Sequence, residues 1–256
     1  KFKIMKMIIV AAGQGTRLRP LTNEVPKCMV PYKQKPIINY ILETANSCGI
    51  NEIGIINGYK NKVLEDYLKN KKINFFTNKF FDKTNMVSSL FCAKDYMDDD
   101  LIISYADIVY KNDVLKKLLN SQDDFSVVVD RDWKKLWSLR MENPLDDAET
   151  LKLQNGNIIE IGKKACTYND IEGQYIGLIK ISKKILNKVI KYYDMLDRGA
   201  SYDGKYFDNM YMTSFIQMII DNLLNVKPTF INGGWIEIDS LDDLKNLEKI
   251  DENFNI

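Results

Sequence analysis

The chain has 256 residues, 45% hydrophobic and 28% charged, the make-up of an ordinary globular protein long enough to bury a large core. Thirty-six Lys and Arg stand against 35 Asp and Glu, a net charge of +1 that argues against coating a nucleic-acid backbone. Histidine is absent, which removes Ser-His-Asp and Cys-His catalysis, His-ligated metals and imidazole switches.

Residues 1–4 carry no functional weight, and 5–256 reads as one domain. Residues 7–12 are a continuous apolar run ending in Gly13, the pattern of a buried parallel strand entering a glycine turn. Apolar residues at helical spacing predict a helix over 36–47, closed by Gly49. Next come a strand at 52–57, a helix at 60–69 with Val63, Leu64, Tyr67 and Leu68 inward, and a strand at 73–77. A helix at 86–94, a strand at 101–105, a helix at 114–119 and a strand at 125–129 continue the alternation. Such alternation predicts an α/β fold around a mostly parallel sheet.

The pattern then changes. Segments 151–153 and 157–161 flank Asn155-Gly156 and predict a β-hairpin, the start of a small antiparallel portion within 130–181. A strand at 174–181, an amphipathic core helix at 212–223, a strand at 235–239 and a helix at 241–249 complete the chain. Cys28, Cys48, Cys92 and Cys166 are too scattered for a disulfide framework or a zinc site, and read as small buried thiols in a reducing compartment. No apolar run reaches ~18–20 residues and no secretory leader is visible, so the expected location is the cytoplasm, with no membrane or nucleic-acid partner.

The segment Gly13-Gln14-Gly15-Thr16-Arg17-Leu18-Arg19-Pro20-Leu21-Thr22 carries the strongest chemical signal. Glycines after a buried strand let backbone amides approach an anion, and Arg17, Arg19 and Lys27 add fixed positive charge suited to a triphosphate. Leu18 stands where a dinucleotide fingerprint needs its third glycine, and no Gly-Lys-Ser/Thr of a Walker loop follows. Asp107 follows the strand at 101–105, at the carboxyl end where open α/β sheets bind ligands. Glu237 and Asp239, two apart on a strand, share one face. Three converging carboxylates beside phosphates suit Mg²⁺.

The glycine segment with Pro26-Lys27 closely resembles the signature of the sugar-phosphate nucleotidyltransferases. That resemblance implies a glycosyltransferase-A-like α/β sandwich: a mixed, mostly parallel sheet flanked by helices. It also implies transfer of a nucleoside monophosphate from a nucleoside triphosphate to a phosphate-bearing small molecule, with release of pyrophosphate. It gives Arg17 and Lys27 catalytic roles, lines the nucleotide site with Ala11, Ala12, Gly13, Gly15, Thr16 and Ala106, and makes Asp107, Glu237 and Asp239 the Mg²⁺ ligands. Such a reaction needs no histidine, because an acceptor phosphate with a second pKa of roughly 6 is already largely ionised at neutral pH.

Thr84-Asn85-Met86-Val87-Ser88-Ser89-Leu90 is similar to the cytidylyltransferase branch, which implies CTP, with Asn85 and Ser89 as polar groups near the base. The acceptor reads as a phosphorylated metabolite: a phosphoglutamine-like amino-acid phosphate, phosphocholine or an aminoalkylphosphonate. Its candidate contacts are Asp132, Trp137, Arg140, Lys163 (with Lys164) and Tyr175. Trp137 or Asp132 would take an amine and Arg140 would grip a carboxylate. A role in capsule or surface-polysaccharide modification follows, as monomer or homodimer. Two other readings stay open: a sugar-1-phosphate nucleotidyltransferase using UTP or dTTP, and a non-catalytic nucleotide-binding domain. A glycosyltransferase is disfavoured, because Ile108-Val109 follows Asp107 where an Asp-x-Asp motif would stand.

Overall fold

A computed structural model describes residues 4–246. In chain order the first half comprises β1 (Met5–Val10), α1 (Ile37–Ser47), β2 (Glu52–Asn57), α2 (Asn61–Leu68), β3 (Asn74–Thr77) and α3 (Met86–Leu90). Then follow β4 (Asp100–Tyr105), β5 (Ile108–Tyr110), α4 (Asn112–Asn120), β6 (Phe125–Asp130) and α5 (Trp133–Arg140). The second half holds β7 (Glu149–Gln154), β8 (Asn157–Lys164), β9 (Gln174–Ile181), α6 (Lys183–Met195) and α7 (Met212–Asn222). It closes with β10 (Lys227–Ile231), β11 (Trp235–Glu237) and α8 (Leu241–Lys245).

Seven strands form one sheet in the order β10-β6-β9-β4-β1-β2-β3. All neighbours run parallel except β9, which pairs antiparallel with both β4 and β6. The expected mixed, mostly parallel sheet with helices on both faces is therefore present. Alternation along the first strand explains the layers: Met7, Ile9 and Ala11 enter a core beneath α1 and α4, while Ile8, Val10 and Ala12 enter one beneath α6 and α7. A strand covered on both faces has no room for polar residues, hence its unbroken apolar run. The 212–223 helix is core, with Met212, Phe215, Ile216 and Ile219 buried.

The hairpin of β7 and β8 turns at Asn155 and Gly156, whose φ of 52° and 73° are the left-handed values that an Asn-Gly turn supplies. β9 belongs to the central sheet, so the antiparallel departure from it is narrower than 130–181. Several local expectations are corrected. Leu64 and Leu68 face inward from α2, but Val63 and Tyr67 are 36% and 43% exposed, because a two-turn helix buries only one stripe. The helix over 86–94 stops at Leu90 and continues as 3₁₀ turns from Phe91 to Tyr96. The strand at 235–239 ends at Glu237, and of the helix at 241–249 the part beyond 246 lies outside the described residues. All four cysteines are free, as expected, but only Cys28 is buried; Cys92 and Cys166 are exposed.

Candidate active site

Leaving β1, the chain turns through the glycine segment under tight restraint. Gly15 has a φ of 62°, and a Cβ there would stand 2.8 Å from the Cβ of Lys27, so both backbone and neighbour demand glycine. The Gly15 carbonyl accepts from the Thr22 hydroxyl at 2.8 Å and from the Leu18 N–H at 3.0 Å. Leu18 and Thr22 are themselves fully buried, which anchors the loop from beneath and leaves Arg17 68% exposed above it. The result is a cavity of about 350 Å³ walled by Ala11, Gly13, Gly15, Thr16, Arg17, Lys27, Ala106, Asp107 and Asp239. Cys28 also borders it, but burial pushes that thiol up to about 12, so it is a wall and not a nucleophile.

At the floor, Lys27 Nζ donates to Asp107 Oδ2 at 2.6 Å and to Asp239 Oδ1 at 2.5 Å. Burial opposes the ammonium, but Asp107, Asp239 and Glu237 outweigh that penalty and raise its pKa. Arg17 pairs with the other Asp239 oxygen. The three predicted metal ligands do not gather as one set, which corrects the expectation. Glu237 instead accepts from Arg140 Nη1 at 2.6 Å, and among the described residues no cluster of three or more acids, Cys or His is arranged to hold a metal. Asp107 and Asp239 do fit one: they share a cation already, and Asp107 Oδ1 is buried with no hydrogen-bond partner. Two carboxylates plus phosphate oxygens and water are a usual Mg²⁺ environment.

A second cavity, of about 260 Å³, opens beside the first and shares Arg17, Asn85, Met86 and Asp239 with it. Trp137, Tyr175, Trp235 and Tyr211 supply aromatic walls, while Asp147, Glu149 and Glu237 supply carboxylates. Trp137 Nε1 donates to Asp147 Oδ2 at 3.0 Å, which fixes the indole plane. Gln174 clamps the Glu149 backbone, donating to its carbonyl at 2.5 Å and accepting from its N–H at 3.0 Å. Burial, with Asp147 and Glu237 adding, pushes Glu149 up to about 7. Burial likewise raises Glu237, with Asp107 and Asp239 adding and Arg140 opposing.

Of the predicted acceptor contacts, Trp137 and Tyr175 line this cavity and the others do not. Arg140, 5% exposed, is consumed by its own protein, with Nε at 2.7 Å from Asp243 and Nη1 on Glu237. Asp243 in turn accepts the Asp239 and Ser240 N–H groups at 2.9 Å, so Arg140 belongs to a buried knot behind the acid pair. Asp132 pairs with Lys135 at 3.0 Å on the outside of α5. Lys163 pairs with Glu160 at 3.0 Å on the hairpin, and its exposed neighbour Lys164 is also outside the cavity. Asp147, Glu149, Gln174 and Tyr211 escaped sequence reasoning: none sits in a motif, and only folding brings them to the rings.

A third, smaller cavity of about 100 Å³ lies beyond the glycine segment, between Ala12 and Gly13 on one side and Thr84, Asn85, Met86 and Ser89 on the other. Asn85 reaches this cavity and both larger ones. Its side chain accepts from Met86 N–H at 2.8 Å, capping α3, and its own N–H donates to the Asp208 carbonyl at 2.8 Å.

A profile of the nucleotidyl transferase family matches residues 6–131. The chain is 55% identical over 248 residues to the CTP:phosphoglutamine cytidylyltransferase of Campylobacter jejuni, spanning 94% of this chain and 98% of that protein. It is 32% identical over 258 residues to the choline-phosphate cytidylyltransferase of Streptococcus pneumoniae, across 98% of this chain and 100% of that one. The solved CTP:phosphocholine cytidylyltransferase of S. pneumoniae superposes with a TM-score of 0.71 at 25% identity, over 96% and 99% of the two chains. Nucleotidyltransferases generally work with a divalent metal. A glycine segment anchored over a lysine between two aspartates, and relatives matched along nearly their whole length, place this chain in the nucleotidyl transferase family, among its cytidylyltransferases.

Proposed function

We propose that the enzyme joins CMP from CTP to a phosphorylated amino acid of the phosphoglutamine type. An oxygen of the acceptor phosphate bonds to the α-phosphorus, the bond from that phosphorus to the bridging oxygen breaks, and pyrophosphate leaves with the electron pair. The carrying observation is the confluence of an acid-and-aromatic cavity with the glycine-segment cavity at Arg17, Asn85 and Asp239. The Campylobacter relative supports the choice of acceptor by its own specificity.

Each part of the chain has a task in this reading. The segment from Gly13 to Arg17 cradles the triphosphate. Asp107 and Asp239 would hold Mg²⁺, which when bound would neutralise phosphate charge. Arg17, being exposed, is free to turn to the β- and γ-phosphates and offset charge growing on pyrophosphate. Lys27 sits closer to the acids and steadies the α-phosphate and the incoming oxygen. Trp137, Asp147 and Glu149 receive the acceptor's ammonium, by ring face and by charge. Arg140 is not part of this contact set. Residues 5–256 act as one domain in the cytoplasm, and the product feeds surface-polysaccharide modification.

A pyrophosphate-release assay tests the reading, with four nucleoside triphosphates against phosphoglutamine, phosphocholine, aminoethylphosphonate and hexose 1-phosphates. The highest kcat/KM for CTP with phosphoglutamine is the expected result. Preference for a hexose 1-phosphate with UTP or dTTP overturns it, as does nucleotide binding without pyrophosphate release. Rings and carboxylates, with Arg140 held away behind them, also suit a quaternary ammonium, which makes phosphocholine the second acceptor to test.

A further inference from the structure

We infer that Asn78 fixes the hydrogen-bond polarity of Ser89, so that this hydroxyl donates into the small cavity and distinguishes cytosine from uracil there. The inference rests on the CTP reading above and adds the device that would enforce it. Asn78 and Ser89 are 3% and 4% exposed, so water does not contest their bonding. Asn78 Oδ1 accepts from the Phe80 N–H at 2.9 Å, and since only the oxygen end can accept, the amide cannot be reversed. Its NH₂ group therefore faces Thr84 Oγ1 and Ser89 Oγ, each at 2.8 Å, and both hydroxyls must accept. Thr84 uses its own hydrogen on the Phe80 carbonyl at 2.9 Å. The Ser89 hydrogen has no acceptor among the described residues, and Ser89 lines the cavity.

A donor whose direction is set from behind selects a ring acceptor. Cytosine offers its unprotonated N3 and its O2 along that edge, whereas uracil carries a hydrogen on N3. With uracil, two donors meet in a buried site and neither is satisfied. Asn78 is thus a positioning residue that acts through Ser89, a role that no motif of the chain announces.

The test compares kcat/KM for CTP and UTP, at a fixed acceptor, in the intact enzyme and in the Asn78→Asp and Ser89→Ala variants. An aspartate still accepts from Phe80 N–H but now accepts from Ser89 as well, which turns the serine oxygen towards the base as an acceptor. Asn78→Asp is expected to lower the CTP-to-UTP ratio at least ~10-fold while raising the UTP value itself. Ser89→Ala is expected to lower the CTP value by about tenfold and, by removing the clashing donor, to raise the UTP value. An Asn78→Asp enzyme that loses both nucleotides in step, with the wild-type ratio intact, overturns the inference. Should Asn78→Asp not fold, Ser89→Ala decides: an unchanged ratio there overturns it equally. A wild-type enzyme without preference for CTP defeats the CTP reading itself, a result separate from either variant's behaviour.

Discussion

The two larger cavities are built on opposite plans. The nucleotide side takes about half of its lining from one loop, Val10 to Cys28, held by backbone bonds and by a glycine that tolerates no Cβ, and closes it with Asn85, Met86, Ala106, Asp107 and Asp239. The acceptor side is gathered from Trp137, Asp147, Glu149, Gln174, Tyr211 and Trp235, and almost everything it offers is a side chain. Backbone amides and a left-handed glycine suit a ligand whose shape is constant, such as a triphosphate. Side chains on separate elements can change one at a time, which suits a ligand that differs between relatives acting on phosphoglutamine and on phosphocholine.

Four experiments would break or sharpen that contrast. The largest effect belongs to the shared floor: Asp107→Asn should cut turnover by several orders of magnitude, because loss of metal neutralisation costs several kcal/mol. Its circular-dichroism spectrum should stay native, and near-normal turnover at saturating Mg²⁺ would remove Asp107 from the site. Next is the knot behind the acids. Arg140→Ala leaves the buried Asp243 and the half-buried Glu237 uncompensated, so a loss of about 3–5 kcal/mol should lower Tm on the order of 10 °C. It should also weaken phosphoglutamine and phosphocholine alike; a selective loss of the amino-acid substrate would restore Arg140 as a direct reader.

On the acceptor side alone, Trp137→Leu should raise the acceptor KM roughly 3- to 30-fold, from ~0.5–2 kcal/mol of cation–π attraction. The KM for CTP should not move, and steady-state kinetics with each substrate varied shows whether the two sides are separable. The smallest effect concerns Glu149, whose pKa burial pushes up to about 7 from 4.5. The folded state favours the protonated acid, so its contribution to stability is complete below about pH 4.5 and is lost as pH rises through about 7. Acceptor binding runs the other way: KM for an ammonium-bearing acceptor should fall a few-fold as Glu149 ionises over that range. Glu149→Gln should flatten both trends, and a profile identical to wild type would exclude Glu149 as their source.

The same contrast governs what the sequence disclosed. The nucleotide segment was readable because its residues are neighbours in the chain and each glycine and cation has a local reason. Hairpin and core strands were readable for the same cause. Arg140 looks free in sequence because its partners Glu237 and Asp243 lie 97 and 103 positions away, and nothing local shows that its fork is occupied. Lys163 and Asp132 look available in sequence, yet each turns to a partner three positions off on its own element. α6 carries a helical stripe of Leu186, Val189 and Tyr193, a signal that the sequence analysis does not use. β10 was hidden by Pro228, which a strand tolerates only where the sheet ends, and β10 is indeed an edge strand.

Asp130, at the end of β6, has a consequence for anyone recombining these enzymes. Its buried carboxylate accepts from the Asp132 and Gly233 N–H groups at 2.9 Å and from Trp235 Nε1 at 2.8 Å. One side chain therefore fastens the entry to α5, with Trp137, to the approach of β11, with Trp235 and Glu237. A chimaera that imports residues 130–140 from a relative without residues 231–239, or the reverse, puts that joint at risk. Losing one partner leaves a buried charge or donor unmet, at about 1–3 kcal/mol for each bond. The two stretches are a single unit of inheritance, though a hundred residues of unrelated chain lie between them.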